Sequence, residues 1–142
     1  MKITANQIHR IAQELDMGLD VYINRETGEV RSILDPEDLF SEGEIWEEEI
    51  KKIEKEWDDY VVLKKMDSFE AFGIMEAFVH EVDDERLQDK LVDILERRRP
   101  FSNFRAAIDD SLYRERWFAF KDGKYQEYVR KLLETEGIEF ES

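Results

Sequence analysis

A chain of 142 residues, 42% hydrophobic and 12% aromatic, is long and apolar enough to bury a substantial core, so its formal net charge of -15 does not signal disorder. The same charge argues against general nucleic-acid binding, because phosphates repel a negative surface. With no cysteine, disulfides, zinc knuckles and thiol catalysis are excluded, and the composition fits a reducing, cytoplasmic setting. The start MKITANQIHR has no apolar core of a secretory signal, and no apolar run approaches the roughly 20 residues of a membrane span.

The first predicted element is a helix. Thr4 caps it, Gln7 completes a capping box, and Ile8, Ile11, Ala12 and Leu15 form one stripe; Gly18 ends it in a left-handed conformation. In LDVYINRETGEVRSIL, the alternation of Leu19, Val21 and Ile23 predicts a strand with one buried face. A turn with Gly28 at positive φ follows, and Val30 to Leu34 return antiparallel. DPEDLF reads as a turn around Pro36, and Ile45, Trp46, Ile50, Ile53 and Trp57 recur at helical spacing. The β-branched stretch from Tyr60 predicts a third strand.

Asp67 and Glu70 are placed as a second capping box, ahead of an apolar stripe of Phe69, Phe72, Met75, Phe78, Val79 and Val82. A helix from Asp84 to Arg98 carries Leu87, Leu91, Ile94 and Leu95, and Phe101, Phe104 and Ile108 line the next. SLYRERWFAF predicts a short aromatic helix, which Asp122-Gly123 kinks or separates from one lined by Tyr125, Val129 and Leu132. Gly137 closes that helix, and IEF at 138–140 is read as a stub docking on the sheet. The expected class is α+β: a small antiparallel sheet, made of the N-terminal hairpin plus a third strand, packed with a mostly helical C-terminal half. The expected organisation is one domain over 1–142, with 1–66 holding helix, hairpin, helix and strand and 67–142 helical.

Charge is unevenly spread: residues 96–131 hold 10 basic and 6 acidic side chains, a net of +4 within an acidic chain. Arg97, Arg98 and Arg99 stand together before Pro100 in ERRRPFSNFR. Structurally, cations at a helix end complement the dipole, by about 0.3–1 kcal/mol at an exposed site. Pro100 then suits the first turn of the next helix, with Phe101 and Phe104 facing the core. Functionally, the same arginines beside a helix start can hold phosphate or carboxylate. Arg105 belongs to that candidate surface, and Arg114 and Arg116 extend it if the helices fold back together.

Catalytic signatures are missing. No phosphate-cradling glycine motif and no G-x-S-x-G occurs. His9 and His80 are the two histidines; Glu76 and His80 read as an exposed i,i+4 pair rather than metal ligands. Asp58-Asp59, Asp83-Asp84 and Asp109-Asp110 offer paired carboxylates, but 36 acidic residues make adjacency expected and capping the simpler role. Trp117, Phe118 and Phe120 read as core rather than as a base-stacking platform. No catalytic residue, metal or cofactor is assigned.

The stretches RPFSNFRAAI at 99–108, RERWFAFKDGKYQEYVRKLLETEGI at 114–138 and DSFEAFGIMEAFVHEV at 67–82, together with the hairpin, resemble a family of small uncharacterised bacterial proteins with an R-P-F-x-x-F … W-F-x-F signature. The resemblance implies a bacterial cytosolic protein and carries over no catalytic residue. The expected function is a non-enzymatic binding or regulatory module acting through a protein partner, with Arg97, Arg98, Arg99 and Arg105 as contact residues and no role at a membrane. Homo-oligomerisation is compatible with the charge segregation. One alternative is a binder of nucleic acid or an anionic small ligand through the same arginines. Another is an acidic decoy or immunity-type protein presenting residues 37–59, with Glu47, Glu48 and Glu49 meeting a basic partner.

Overall fold

The computed structural model describes residues 2–34 and 59–141. The Pro36 turn, the helix expected around Ile45 to Trp57, and all of the acidic stretch except Asp59 lie outside the described residues. The elements are α1 (Ala5–Asp16), β1 (Leu19–Asn24), β2 (Val30–Leu34), β3 (Tyr60–Leu63), α2 (Ser68–Val79), α3 (Glu85–Leu95), α4 (Pro100–Asp109) and α5 (Arg114–Thr135). This is the α+β architecture expected from the sequence. The chain forms two compact units, one of Met1–Lys65 with Tyr125–Ser142 and the other of Met66–Lys124.

In the first unit, α1 begins with a complete capping box. The Gln7 N–H donates to Thr4 Oγ1 at 3.1 Å, and the Thr4 N–H donates to Gln7 Oε1 at 2.8 Å. Ile8, Ile11, Ala12 and Leu15 are all buried, as their spacing requires, and Gly18 takes φ 92°. The sheet order is β2-β1-β3, antiparallel on both sides, with Val21 opposite Ser32 in β2 and Leu63 in β3.

A central strand has two faces to cover, and here the single-face expectation for β1 is corrected. Asp20, Tyr22 and Asn24 are buried along with Val21 and Ile23. The polar pair is satisfied. Asn24 Oδ1 accepts from the N–H groups of Glu26 and Thr27, which shapes the turn, and Gly28 takes φ 75°. The carboxylate of Asp20 accepts from Lys64 Nζ and from the Lys65 N–H, each at 3.1 Å.

The C-terminal stub is also corrected. Phe140 bridges in parallel to Ile3 rather than to a strand of the sheet: the Ile3 N–H donates to the Glu139 carbonyl at 2.9 Å and the Glu141 N–H to the Ile3 carbonyl at 2.8 Å. The Glu141 carboxylate then accepts from the Ala5 N–H at 3.0 Å, placing an acid at the positive end of α1. Tyr125 and Val129 are buried as expected, but the next core position is Leu133, at 0% exposure, rather than the half-buried Leu132.

The second unit is helical. Ile74, Met75, Phe78 and Val79 of α2, with Val82, pack with Leu91, Phe104, Ala107, Ile108 and Trp117 as its buried apolar set. The Phe78 and Phe104 rings meet Trp117 edge-on, with centroids 5.3 and 5.0 Å from it, and Phe120 lies 5.4 Å from Phe78. Three expectations here are revised. Phe69, placed in the core stripe, is 86% exposed, and Phe118 is exposed too. The box at the start of α2 is half formed, because Asp67 accepts from the Glu70 N–H at 2.8 Å while Glu70 brings a second carboxylate to the same place. Desolvation first, then the charge of Asp67 and a side-chain hydrogen bond with it, raise the Glu70 pKa above its ordinary value. The protonated form is the better tolerated one, so stability from Glu70 is lost as pH rises through its folded-state midpoint.

Asp122-Gly123 neither kinks nor divides the chain, since α5 runs unbroken for 22 residues. One glycine costs less than ending a helix whose flanking turns are packed. A Cβ at Gly123 would meet nothing within 4 Å, and its φ is not positive. Gly123→Ala is therefore expected to stabilise the protein by about 0.5–1 kcal/mol through lost unfolded-chain freedom, read from the denaturant midpoint. A destabilised variant would show that the glycine's flexibility is used.

Candidate functional site

The arginine run lies in the junction between α3 and α4. Asp84 caps α3 by accepting from the Arg86 and Leu87 N–H groups, so this member of the Asp83-Asp84 pair does the capping work expected of it. The helix ends at Leu95, three residues short of the Arg98 boundary expected from sequence, and no basic residue stands in its last turn. Its last carbonyls are closed by tight bonds, the Glu96 N–H to Asp93 and the Arg97 N–H to Ile94, each at 3.2 Å. The dipole account of the arginines is correspondingly weakened, because that effect fades beyond the terminal turn.

Pro100 bars Arg99 from extending the helix. Its ring disfavours the right-handed helical region for the residue before it, and Arg99 instead takes φ 54°, ψ 51°. Arg99 is the one non-glycine residue with positive φ among those described. A single left-handed residue of this kind costs on the order of 1–2 kcal/mol. Two bonds to the turn offset it: Asn103 donates its backbone N–H to the Arg99 carbonyl and its side-chain Nδ2 to the Arg98 carbonyl, both at 3.1 Å. Arg99 gives α4 no side-chain cap.

All four candidate arginines, Arg97, Arg98, Arg99 and Arg105, are exposed. Arg97 Nε pairs with Asp93 at 3.0 Å, one turn back. Among the described residues, Arg98, Arg99 and Arg105 have no ion-pair partner. Arg114 and Arg116 each have an acidic partner. Arg114 pairs with Asp109 at 3.4 Å and lies over Phe118; Arg116 pairs with Asp83 at 3.8 Å, donates to the Glu81 carbonyl and lies over Tyr113. Phe104 is buried as expected, but Phe101 is 44% exposed and meets Phe72 edge-on at 6.4 Å. That exposed ring beside the arginines is what a linear reading misses, because Phe101 and Phe104 share the spacing that marks a core stripe.

Elsewhere, Glu76 and His80 are both exposed, and His80 stands just beyond the end of α2. His9 Nδ1 lies 3.3 Å from Gln126 Nε2 in the first unit. Among the described residues no group of three or more His, Cys, Asp or Glu side chains converges as a metal site, and no helix is long and apolar enough to cross a membrane.

No curated protein matches this chain, and no solved structure does. The model of an uncharacterised protein family, UPF0158, matches residues 1–142, and the chain belongs to that family.

Proposed function

We propose that this chain is a non-enzymatic, cytosolic binding module that acts on a protein partner through the junction between α3 and α4. The observation that supports this reading is the state of its arginines: in a chain of net charge -15, Arg98, Arg99 and Arg105 are exposed and have no described acidic partner. Arg97, by contrast, is taken up by Asp93. Arginines held out beside exposed aromatic rings match the composition that protein interfaces favour.

The test is a pull-down with and without nuclease, comparing wild type with Arg97→Glu/Arg98→Glu/Arg99→Glu. The triple variant should fold, since exposed substitutions away from packing usually shift stability by no more than about 0.5 kcal/mol. A protein kept after nuclease and lost in the variant is the expected result. Identical partners for both forms would end this reading, and loss of every partner on nuclease treatment would transfer it to nucleic acid. An unfolded variant would return the arginines to a structural role.

A further inference from the structure

We propose that the second unit carries a docking strip for an acidic peptide segment with apolar side chains, formed by the juxtaposition of Phe69, Phe72 and Phe101 with Arg98, Arg99 and Arg105. The proposal rests on the protein-partner reading above and states what the partner offers.

Phe69 and Phe72 are three residues apart on α2 and so share a face. Phe72 meets Phe101 of α4 at 6.4 Å, ring edge to ring face. Phe101 and Arg105 are four apart on α4, both exposed, and Arg98 and Arg99 stand in the turn that precedes it. The strip therefore runs from an aromatic end to a cationic end through helical spacing and the Phe72–Phe101 contact. One exposed phenylalanine is ordinary. Here a ring at 86% exposure shares a helix face with a half-buried one, which in turn meets a third ring at 44% exposure next to the arginines in sequence.

Charge selects the occupant. Residues 96–105 hold four arginines and one glutamate, and Asp93 takes up only Arg97. A partner's carboxylates find bidentate donors there. Asp67 and Glu70 flank Phe69 at the other end, so the partner's acidic residues lie toward α4 and its apolar residue over the rings. A nucleic-acid backbone carries charge along its whole length and would meet those two carboxylates as well as the net charge of -15. The net charge of -15 on each copy also opposes a second copy at this face.

The experiment selects peptides from a random dodecapeptide display library on the intact protein, in parallel with Phe69→Ser, Phe69→Ser/Phe101→Ser and Arg98→Glu/Arg99→Glu/Arg105→Glu variants. Each variant is first checked for a cooperative melt, and Phe69→Ser alone suffices if the double variant does not fold. Enriched peptides are expected to combine Asp or Glu with Leu, Phe or Trp. The best of them, made synthetically, should lose more than about tenfold in affinity in each variant and weaken as salt is raised. Peptides without acidic character, or affinity indifferent to Phe69→Ser, overturn the strip. A dimer seen in sedimentation and lost in Phe69→Ser also overturns it, by giving the surface to a second copy. Peptides that ignore Phe69, alongside an arginine-dependent partner in the pull-down, leave the module reading standing and defeat this one alone; absence of both defeats both.

Discussion

Trp117→Ala is expected to destabilise the protein by about 3–5 kcal/mol, the range for truncating a buried aromatic side chain. The ring is 8% exposed and lies against Phe78 and Phe104, each 1% exposed, so three helices meet on it. Its removal costs the transfer energy of the indole, opens a cavity that three helices cannot all close, and ends two edge-to-face contacts worth about 0.5–1.5 kcal/mol each. Against a total stability of about 5–15 kcal/mol, that loss moves the melting transition far down. Phe118→Ala is the control: that ring is 41% exposed and its described partners are the cations Arg114 and Lys121, so its truncation should cost about 1 kcal/mol or less. Overlapping melts for Trp117→Ala and wild type would place the indole in solvent and revive a base-stacking role for this helix.

How much of this was legible in the sequence varies with what each signal measures. Periodicity reports which residues share a face, and for α1 that was enough: Thr4, Gln7, Ile8, Ile11, Ala12 and Leu15 all do what their spacing requires. It does not report how many faces are covered. The second buried face of β1 carries Asp20, Tyr22 and Asn24, whose polarity suggests solvent until their partners on β3's flank and in the turn are seen. Glycine interrupts a helix only where the backbone uses its freedom: α5 runs straight across Gly123, whereas Gly18 and Gly28 turn the chain at positive φ.

The candidate site was half legible. Tandem arginines before a proline announce a helix junction in any sequence, and the junction is there. The left-handed turn at Arg99, the pairing of Arg97 alone with Asp93, and the diversion of Arg114 and Arg116 to Asp109 and Asp83 depend on where helices end and how they return. The aromatic half was hidden for a different reason. Phe69 and Phe101 stand at apolar positions of good helical stripes, and only tertiary packing distinguishes the inward Phe78 and Phe104 from the outward pair.

Lys64→Ala should cost about 3 kcal/mol, although most of its side chain is in water, because the charge it leaves behind is not. Asp20 is 0% exposed in the central strand, whereas the Lys64 side chain is 63% exposed. Without the ammonium, the carboxylate keeps the Lys65 N–H and loses its counter-charge, and water entering beside the vacated stem holds the cost to the low end of the range for breaking a buried pair. Asp20→Asn should be milder, about 1 kcal/mol: the amide oxygen still accepts from Lys65 and no charge stays buried. The decisive variant is the double one. Asp20→Asn in the Lys64→Ala background removes the stranded charge, so the pair together should be more stable than Lys64→Ala alone, a coupling measured by denaturant melts of the four proteins. Additive losses would mean that the carboxylate draws its stabilisation from the Lys65 amide, with the ammonium only a surface ornament on an otherwise satisfied group.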